Sequence, residues 1–135
     1  MKKYFIVAGE PSGDLHGSKL IKAIKHLNPN SSFMGHGGDS MRNEGMHIIE
    51  HVDSLAIMGF AEVLRHLPRM NKIMRNTVGA IERSKPDRVI LIDYPGFNLR
   101  LAKRLSPLKI PITYFILPQA WAWKQRRVEV LKRFI

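Results

Sequence analysis

Arg88-Val89-Ile90-Leu91-Ile92-Asp93-Tyr94-Pro95-Gly96-Phe97-Asn98 is the stretch whose reading decides the fold. Four aliphatic residues run together without polar alternation, as a strand covered on both faces of a parallel sheet requires. The run stops at a carboxylate and a proline-glycine pair, and residues 98–105 then take helical spacing. Strand, acidic turn and helix in that order predict one unit of a βαβ fold.

The same order recurs on either side. Residues 4–8 read as a buried strand, and a helix follows from about residue 13. Leu20, Ile21, Ile24 and Leu27 line one side of that helix, with Lys19, Lys22, Lys25 and His26 on the other. Asn28-Pro29-Asn30 stops it. Residues 32–35 form a short second strand, Gly37-Gly38-Asp39-Ser40 turns into a short helix ending at Glu44-Gly45, and residues 46–50 form a third strand. Residues 55–64 open a helical stretch that Pro68 interrupts. A further helix over 68–84 carries Met70, Ile73, Met74, Val78 and Ile81 on one face, with its proline in the tolerated first turn. Residues 111–117 are a last apolar strand, closed by Pro118, and 124–134 begin another helix. The expected fold is therefore α/β: a Rossmann-like, doubly wound parallel sheet with right-handed crossovers. No repeat, low-complexity tract or linker divides residues 1–135, which read as one domain.

Composition narrows the function classes. Lys and Arg number 22 against 11 Asp and Glu, a formal charge of +11 in 135 residues. That excess favours an anionic partner: nucleic acid, an acidic membrane surface or a phosphorylated substrate. With no cysteine there is neither a disulfide nor a thiolate metal ligand, which fits a reducing compartment. The six histidines show no H-E-x-x-H spacing, so no metal site and no cofactor is expected. There is no Ser-His-acid arrangement and no nucleophile elbow. The apolar run before Gly9-Glu10 is shorter than a secretory core, and no segment approaches the roughly 20 apolar residues of a membrane span. The protein is expected to be soluble or peripheral. Because Arg133-Phe134-Ile135 breaks off inside a helical pattern, the chain is expected to be a piece of a longer one.

In an open α/β sheet the ligand lies outside the carboxyl ends of the strands, and three loops fall there. The first is Gly9-Glu10-Pro11-Ser12-Gly13-Asp14-Leu15-His16-Gly17. It lacks the P-loop lysine and the G-x-G-x-x-G spacing, and Glu10 and Asp14 would repel a phosphate. A sugar-like ligand suits it better, with Glu10, Ser12, Gly13 and Asp14 as candidate contacts. The same residues would equally serve as a tight turn and a helix cap. The second loop, residues 93–98, places Asp93 at the rim of the sheet. A partly desolvated carboxylate there suits a general base accepting a proton from an attacking hydroxyl, and Asn98 would orient the substrate or cap the helix. The third, residues 118–127, combines Gln119, Trp121, Trp123, Lys124 and Arg127. Tryptophans pack on sugar faces or acyl chains and cations suit phosphate, although the same mixture stacks nucleobases. His16 and His36 sit near loop ends, within reach of a ligand. Ile57, Met58, Phe60, Val63 and Leu64 occupy more than one helix face beside Arg65, His66 and Arg69. They form either a core helix or a cation-rimmed apolar patch for an acidic membrane or an acyl chain.

Taken in order, these segments resemble lipid-A-disaccharide synthase. The family's "AGE-x-SGD" is matched at residues 8–14, its "GG-x-x-M-x-x-EG" at 37–45 and its "L-x-x-MG-x-x-EVL" at 55–64. Its "PD-x5-ID-x-P-x-FN" is matched at 86–98 with one residue fewer between the two blocks, and its "P-x-x-WAW" at 118–123. The resemblance implies the N-terminal domain of a GT-B type, inverting glycosyltransferase, with a second domain facing it across a cleft. The family's reaction joins UDP-2,3-diacylglucosamine to 2,3-diacylglucosamine 1-phosphate (lipid X), giving a β-1,6-linked disaccharide and UDP without a bound metal. By the resemblance Asp93 takes the place of the base, Asn98 and Glu10 match acceptor-side residues, and residues 55–67 correspond to a membrane-meeting part. It further implies a cytoplasmic protein peripheral on the anionic inner membrane, a homodimer of the complete protein, and a donor site beyond Ile135. Residues 1–135 would then be the acceptor and membrane-side domain, inactive alone. The competing expectations are a non-catalytic lipid- or membrane-binding fragment and a nucleic-acid binder. Glu10, Asp14 and Asp93 argue against the second.

Overall fold

The computed structural model describes residues 1–56, 67–115 and 132–135. The expectations for Ile57, Met58, Phe60, Val63 and Leu64, and for Gln119, Trp121, Trp123, Lys124 and Arg127, lie outside the described residues. The elements follow in order as β1 (Lys3–Ala8), α1 (Pro11–Leu27), β2 (Ser32–Gly37), α2 (Asp39–Asn43), β3 (His47–His51) and α3 (Val52–Ala56). They continue as α4 (Leu67–Ser84), β4 (Arg88–Ile92), α5 (Pro95–Leu105) and β5 (Ile112–Phe115). The strands form one five-stranded sheet in the order β3-β2-β1-β4-β5, and every pairing is parallel. This is the expected Rossmann-like arrangement.

Alternation along the strands builds the two layers, because successive side chains leave a strand on opposite faces. Phe5, Val7, Val89 and Leu91 bury one way, against Ile73, Met74 and Ile81 of α4 and Phe97, Leu101 and Leu105 of α5. Ile6, Ala8, Ile90 and Ile92 bury the other way, against Ile21 of α1 and Met41 of α2. Both faces of β4 are thus covered, which is why its sequence shows no polar alternation. Truncating a fully buried member such as Leu101 to alanine would cost about 2–5 kcal/mol.

The helices begin earlier than their periodicity predicts. The first starts at Pro11 and the fifth at Pro95, each with its proline in the first turn, where a fixed φ favours helix and no amide hydrogen is missed. The second strand runs on to Gly37. Its register against β3 shifts between Gly35 and His36. Gly35 sits there at φ +147°, where an added Cβ would fall 1.9 Å from the Ile6 carbonyl oxygen, so only glycine fits.

Candidate active site

The chain leaves β1 toward β2 and β3 on one side, then returns through α4 to lay β4 on the other side of β1. The topological switch point therefore lies between β1 and β4, the place where open α/β sheets bind ligands. Ala8 and Ile92, the last residues of those strands, are register partners. Gly9 and Asp93 are consequently neighbours on the carboxyl rim.

Gly9 is there to admit a side chain of the protein itself. A Cβ on it would lie 2.4 Å from the Tyr94 ring, so the ring rests on the bare backbone of the first loop. Gly13 and Gly17 follow one helical turn apart, on the face of α1 that meets the sheet. Added Cβ atoms would come within 3.2 Å of Ala8 Cβ at Gly13 and 2.6 Å of Met41 Cε at Gly17. The four-residue spacing is a helix-on-sheet packing pattern. Gly13 is buried in that contact, not laid open to a ligand as the sequence reading has it.

Asp14 also differs from expectation. Its Oδ1 accepts from the amides of Gly38 (2.8 Å) and Met41 (2.9 Å), and its Oδ2 from Ser40 (3.1 Å). It caps the start of α2 from across the layer, in place of a local cap. That carboxylate is committed to the fold. Glu10 and Ser12 remain exposed at the mouth of the loop, and Glu10 occupies the N-cap of α1 without a side-chain cap bond. Burial raises the pKa of the Tyr94 hydroxyl, and the nearby charge of Glu10 raises it further. The phenol stays protonated beside a carboxylate.

The second loop holds the most unusual backbone. Asp93 (φ +43°) and Tyr94 (φ +50°) are both left-handed, in succession. For residues other than glycine each such conformation costs on the order of 1–3 kcal/mol, and the residue before a proline prefers extended backbone instead. The surroundings impose the conformation. The Asp93 carbonyl accepts from Asn98 Nδ2 at 2.8 Å and from the Tyr114 hydroxyl at 2.5 Å. Asn98 is wholly buried, and its amide also reaches the carbonyls of Val7 and Ile92 at 3.4 Å. Its Oδ1 has no partner among the described residues. The Asp93 carboxylate, half-buried, makes no hydrogen bond or ion pair among the described residues. Nor is it a cap, since the N-cap of α5 is Tyr94 and no side-chain cap bond is made there. Asp93, Tyr94, Glu10 and Ser12 thus share the rim over the switch point, while Asn98 lies beneath it.

His36, expected near a ligand, is instead 1% exposed in the layer below. Its Nε2 lies 2.9 Å from Thr77 Oγ1, which donates its own hydrogen to the Ile73 carbonyl at 2.6 Å. Nε2 must therefore be the donor, which leaves Nδ1 unprotonated and without a partner among the described residues. Burial lowers the pKa of His36 to about 4. His16 is exposed on α1. Tyr94 and Tyr114 are the residues that the sequence reading misses. The signal for Tyr114 is a tyrosine within a short apolar strand, paired in register with Leu91 two residues before Asp93.

Away from the rim, α4 and α5 carry Arg69, Lys72, Arg75, Arg83, Arg100, Lys103 and Arg104, with Glu82 as their one acid. Asn71, Met74, Arg100, Lys103 and Arg104 line a groove of about 260 Å3 between them. Among the described residues none of these cations is in an ion pair. No group of three or more His, Cys, Asp or Glu that could hold a metal ion occurs among the described residues. No helix there is long and apolar enough to cross a membrane.

A family model described as lipid-A-disaccharide synthetase matches residues 4–135. The chain belongs to that family. Lipid-A-disaccharide synthases of Myxococcus xanthus (38% identical over 133 residues, 98% of this chain and 35% of the relative) and Koribacter versatilis (40% over 136 residues, 100% and 36%) are similar to it. So is that of Alkalilimnicola ehrlichii, 42% identical over 130 residues, 96% of this chain and 34% of the relative. The chain thus spans about a third of the length of these synthases. Among solved structures, the UDP-GlcNAc 2-epimerase of Neisseria meningitidis bound to UDP-GlcNAc aligns with a TM-score of 0.58. It is 14% identical, with 95% of this chain and 36% of the epimerase covered, which shows a shared fold.

Proposed function

We propose that residues 1–135 are the acceptor and membrane-side domain of an inverting GT-B glycosyltransferase that makes the lipid A disaccharide. Its substrates are UDP-2,3-diacylglucosamine and 2,3-diacylglucosamine 1-phosphate. One observation carries the reading: within this family, a carboxylate without a partner among the described residues stands at the switch point, on backbone held in an unfavourable conformation. Asp93 accepts the proton of the acceptor 6-hydroxyl as its oxygen bonds to the donor anomeric carbon. The bond from that carbon to UDP breaks with its electron pair leaving on UDP, and the centre inverts. Glu10 and Ser12 bind acceptor hydroxyls, and Asn98 acts from below through the backbone of Asp93.

The remaining roles are part of the same proposal. Gln119, Trp121, Trp123, Lys124 and Arg127 contact substrate. Ile57, Met58, Phe60, Val63 and Leu64 meet the acyl chains or the bilayer, and the cations of α4 and α5 meet an anionic membrane surface. The protein works in the cytoplasm, peripheral on the inner membrane, with UDP-sugar sites supplied by a second domain and a homodimer as its assembly. The displacement calls on no cofactor.

The test is UDP release from the donor sugar with the monophosphate acceptor in mixed micelles. The chain would be assayed alone, and joined to the remaining two thirds of a family member, each with and without Asp93→Asn. Turnover in the joined protein that falls at least about a hundredfold on substitution is the expected result. Turnover by the joined protein that survives Asp93→Asn within a few fold removes Asp93 as base. No turnover in a folded joined protein, together with binding to anionic vesicles, would favour a lipid-binding fragment, the reading that the basic α4–α5 face supports.

A further inference from the structure

Among the described residues, no hydrogen bond or ion pair aims the carboxylate of Asp93. Its direction is inherited from its own backbone, which is held at the Asp93 carbonyl oxygen and, one residue on, at the Tyr94 carbonyl, which accepts from the Asn98 backbone amide at 3.0 Å. Two donors on two elements meet at the Asp93 oxygen: the Tyr114 hydroxyl of β5 at 2.5 Å and the Asn98 side-chain amide of α5 at 2.8 Å. A carbonyl oxygen has two lone pairs, so the pair of donors fixes both the position and the tilt of the peptide plane that joins Asp93 to Tyr94. That plane lies between the two left-handed residues, φ +43° and +50°, and the next residue is Pro95. Without the donors the segment prefers extended backbone, and the carboxylate would swing away from the switch point. Tyr94, with its ring laid on Gly9, closes the other side.

We infer that Tyr114 is a positioning residue for the proposed transfer: with Asn98 it clamps the Asp93 carbonyl and so holds the carboxylate over the crevice. The inference rests on the reading of Asp93 as base. It assigns to the fifth strand control over the geometry of the chemical step. A shift of about 1 Å in a reacting group is worth up to a hundredfold in rate, and loss of one of two clamps permits a shift of that order. Substrate binding through Glu10 and Ser12 does not pass through this carbonyl, so KM stands apart from kcat.

Tyr114→Phe, which keeps the ring and its packing, tests this in the joined protein, with Asp93→Asn and Tyr94→Gly alongside. The expected result is a fall in kcat of about 10- to 100-fold per folded molecule, with the acceptor KM within about twofold. Glycine adopts the left-handed conformation freely. In the background of Tyr94→Gly, Tyr114→Phe should therefore lower kcat by only about threefold. A kcat for Tyr114→Phe within twofold of the parent, while Asp93→Asn abolishes turnover, overturns the inference and leaves the proposed base intact. An equal loss with and without Tyr94→Gly also overturns it, since Tyr114 would not then be restraining the left-handed pair. Turnover that survives Asp93→Asn removes the base itself, and the clamp loses its purpose with it.

Discussion

Acidification should weaken this fold through one buried ring, and the size of the effect follows from where that ring sits. His36 is 1% exposed, and the side chains it touches, Thr77 on α4 and Phe97 on α5, carry no charge. Among the described residues nothing there stabilises an imidazolium, and burial lowers its pKa from 6.5 to about 4. The sign follows directly. Above pH 6.5 the ring is neutral whether the chain is folded or not, and the full stability is present. As the pH falls below 6.5 the unfolded chain takes up a proton that the folded chain refuses until about pH 4, so stability declines through that window. Between those two values the linkage amounts to about 2 kcal/mol lost from pH 8 to pH 5, and about 3 kcal/mol by pH 4. Against a typical total of about 5–15 kcal/mol that is a large fraction, corresponding to roughly 6 °C in the melting midpoint at pH 5. The assay is urea unfolding at pH 8, 6.5 and 5, for the parent and for His36→Gln, which keeps a donor for Thr77 but cannot be protonated. Subtracting the two removes the exposed histidines and the carboxylates, which titrate in both. A difference that grows by about 2 kcal/mol from pH 8 to pH 5 is expected. Parallel pH profiles would refute the reasoning, because they would mean that the folded ring takes its proton as readily as the unfolded one.

Three further predictions come from the same geometry. Gly9→Ala puts a methyl group into the Tyr94 ring, with contacts near 2.4 Å; turnover in the joined protein should drop by at least tenfold while the melting midpoint moves only a few degrees, and unchanged kinetics would show that the ring is free to move aside. Asp14→Ala strands three amides at the start of α2 and should lower unfolding stability by about 3 kcal/mol in urea; a loss under 0.5 kcal/mol would mean that water replaces the cap. Changing Arg100, Lys103 and Arg104 together to glutamine removes the cations lining the α4–α5 groove. Binding to phosphatidylglycerol vesicles should weaken by roughly a hundredfold, at about 1 kcal/mol per cation near the surface, with no change on phosphatidylcholine; equal binding by parent and variant would detach this face from the membrane.

How far the sequence shows this site depends on whether its parts act locally. The run 88–92 announces a strand covered on both faces because burial on two sides excludes polar residues, and Asp93 is legible as the acid that ends it. Pro11 and Pro95 are local signals as well, and reading them as first-turn prolines would have placed both helix starts correctly. The bonds of Asp14 are hidden for a non-local reason: the amides that it caps belong to residues 38–41, and no spacing within its own loop reveals them. His36 likewise looks like a loop-end histidine until the sheet sets it between α4 and α5. The glycines at 13 and 17 did carry a readable clue, since a four-residue interval on a helix means one face, and a face of glycines means close packing. Tyr94 and Tyr114 show why a rim carboxylate is easier to find than the groups that hold its backbone. The acid must project from the rim, so its chemistry appears in the sequence. Its supports need only reach one carbonyl oxygen, and a tyrosine 21 positions away on a neighbouring strand can do so without leaving any mark in the spacing around Asp93.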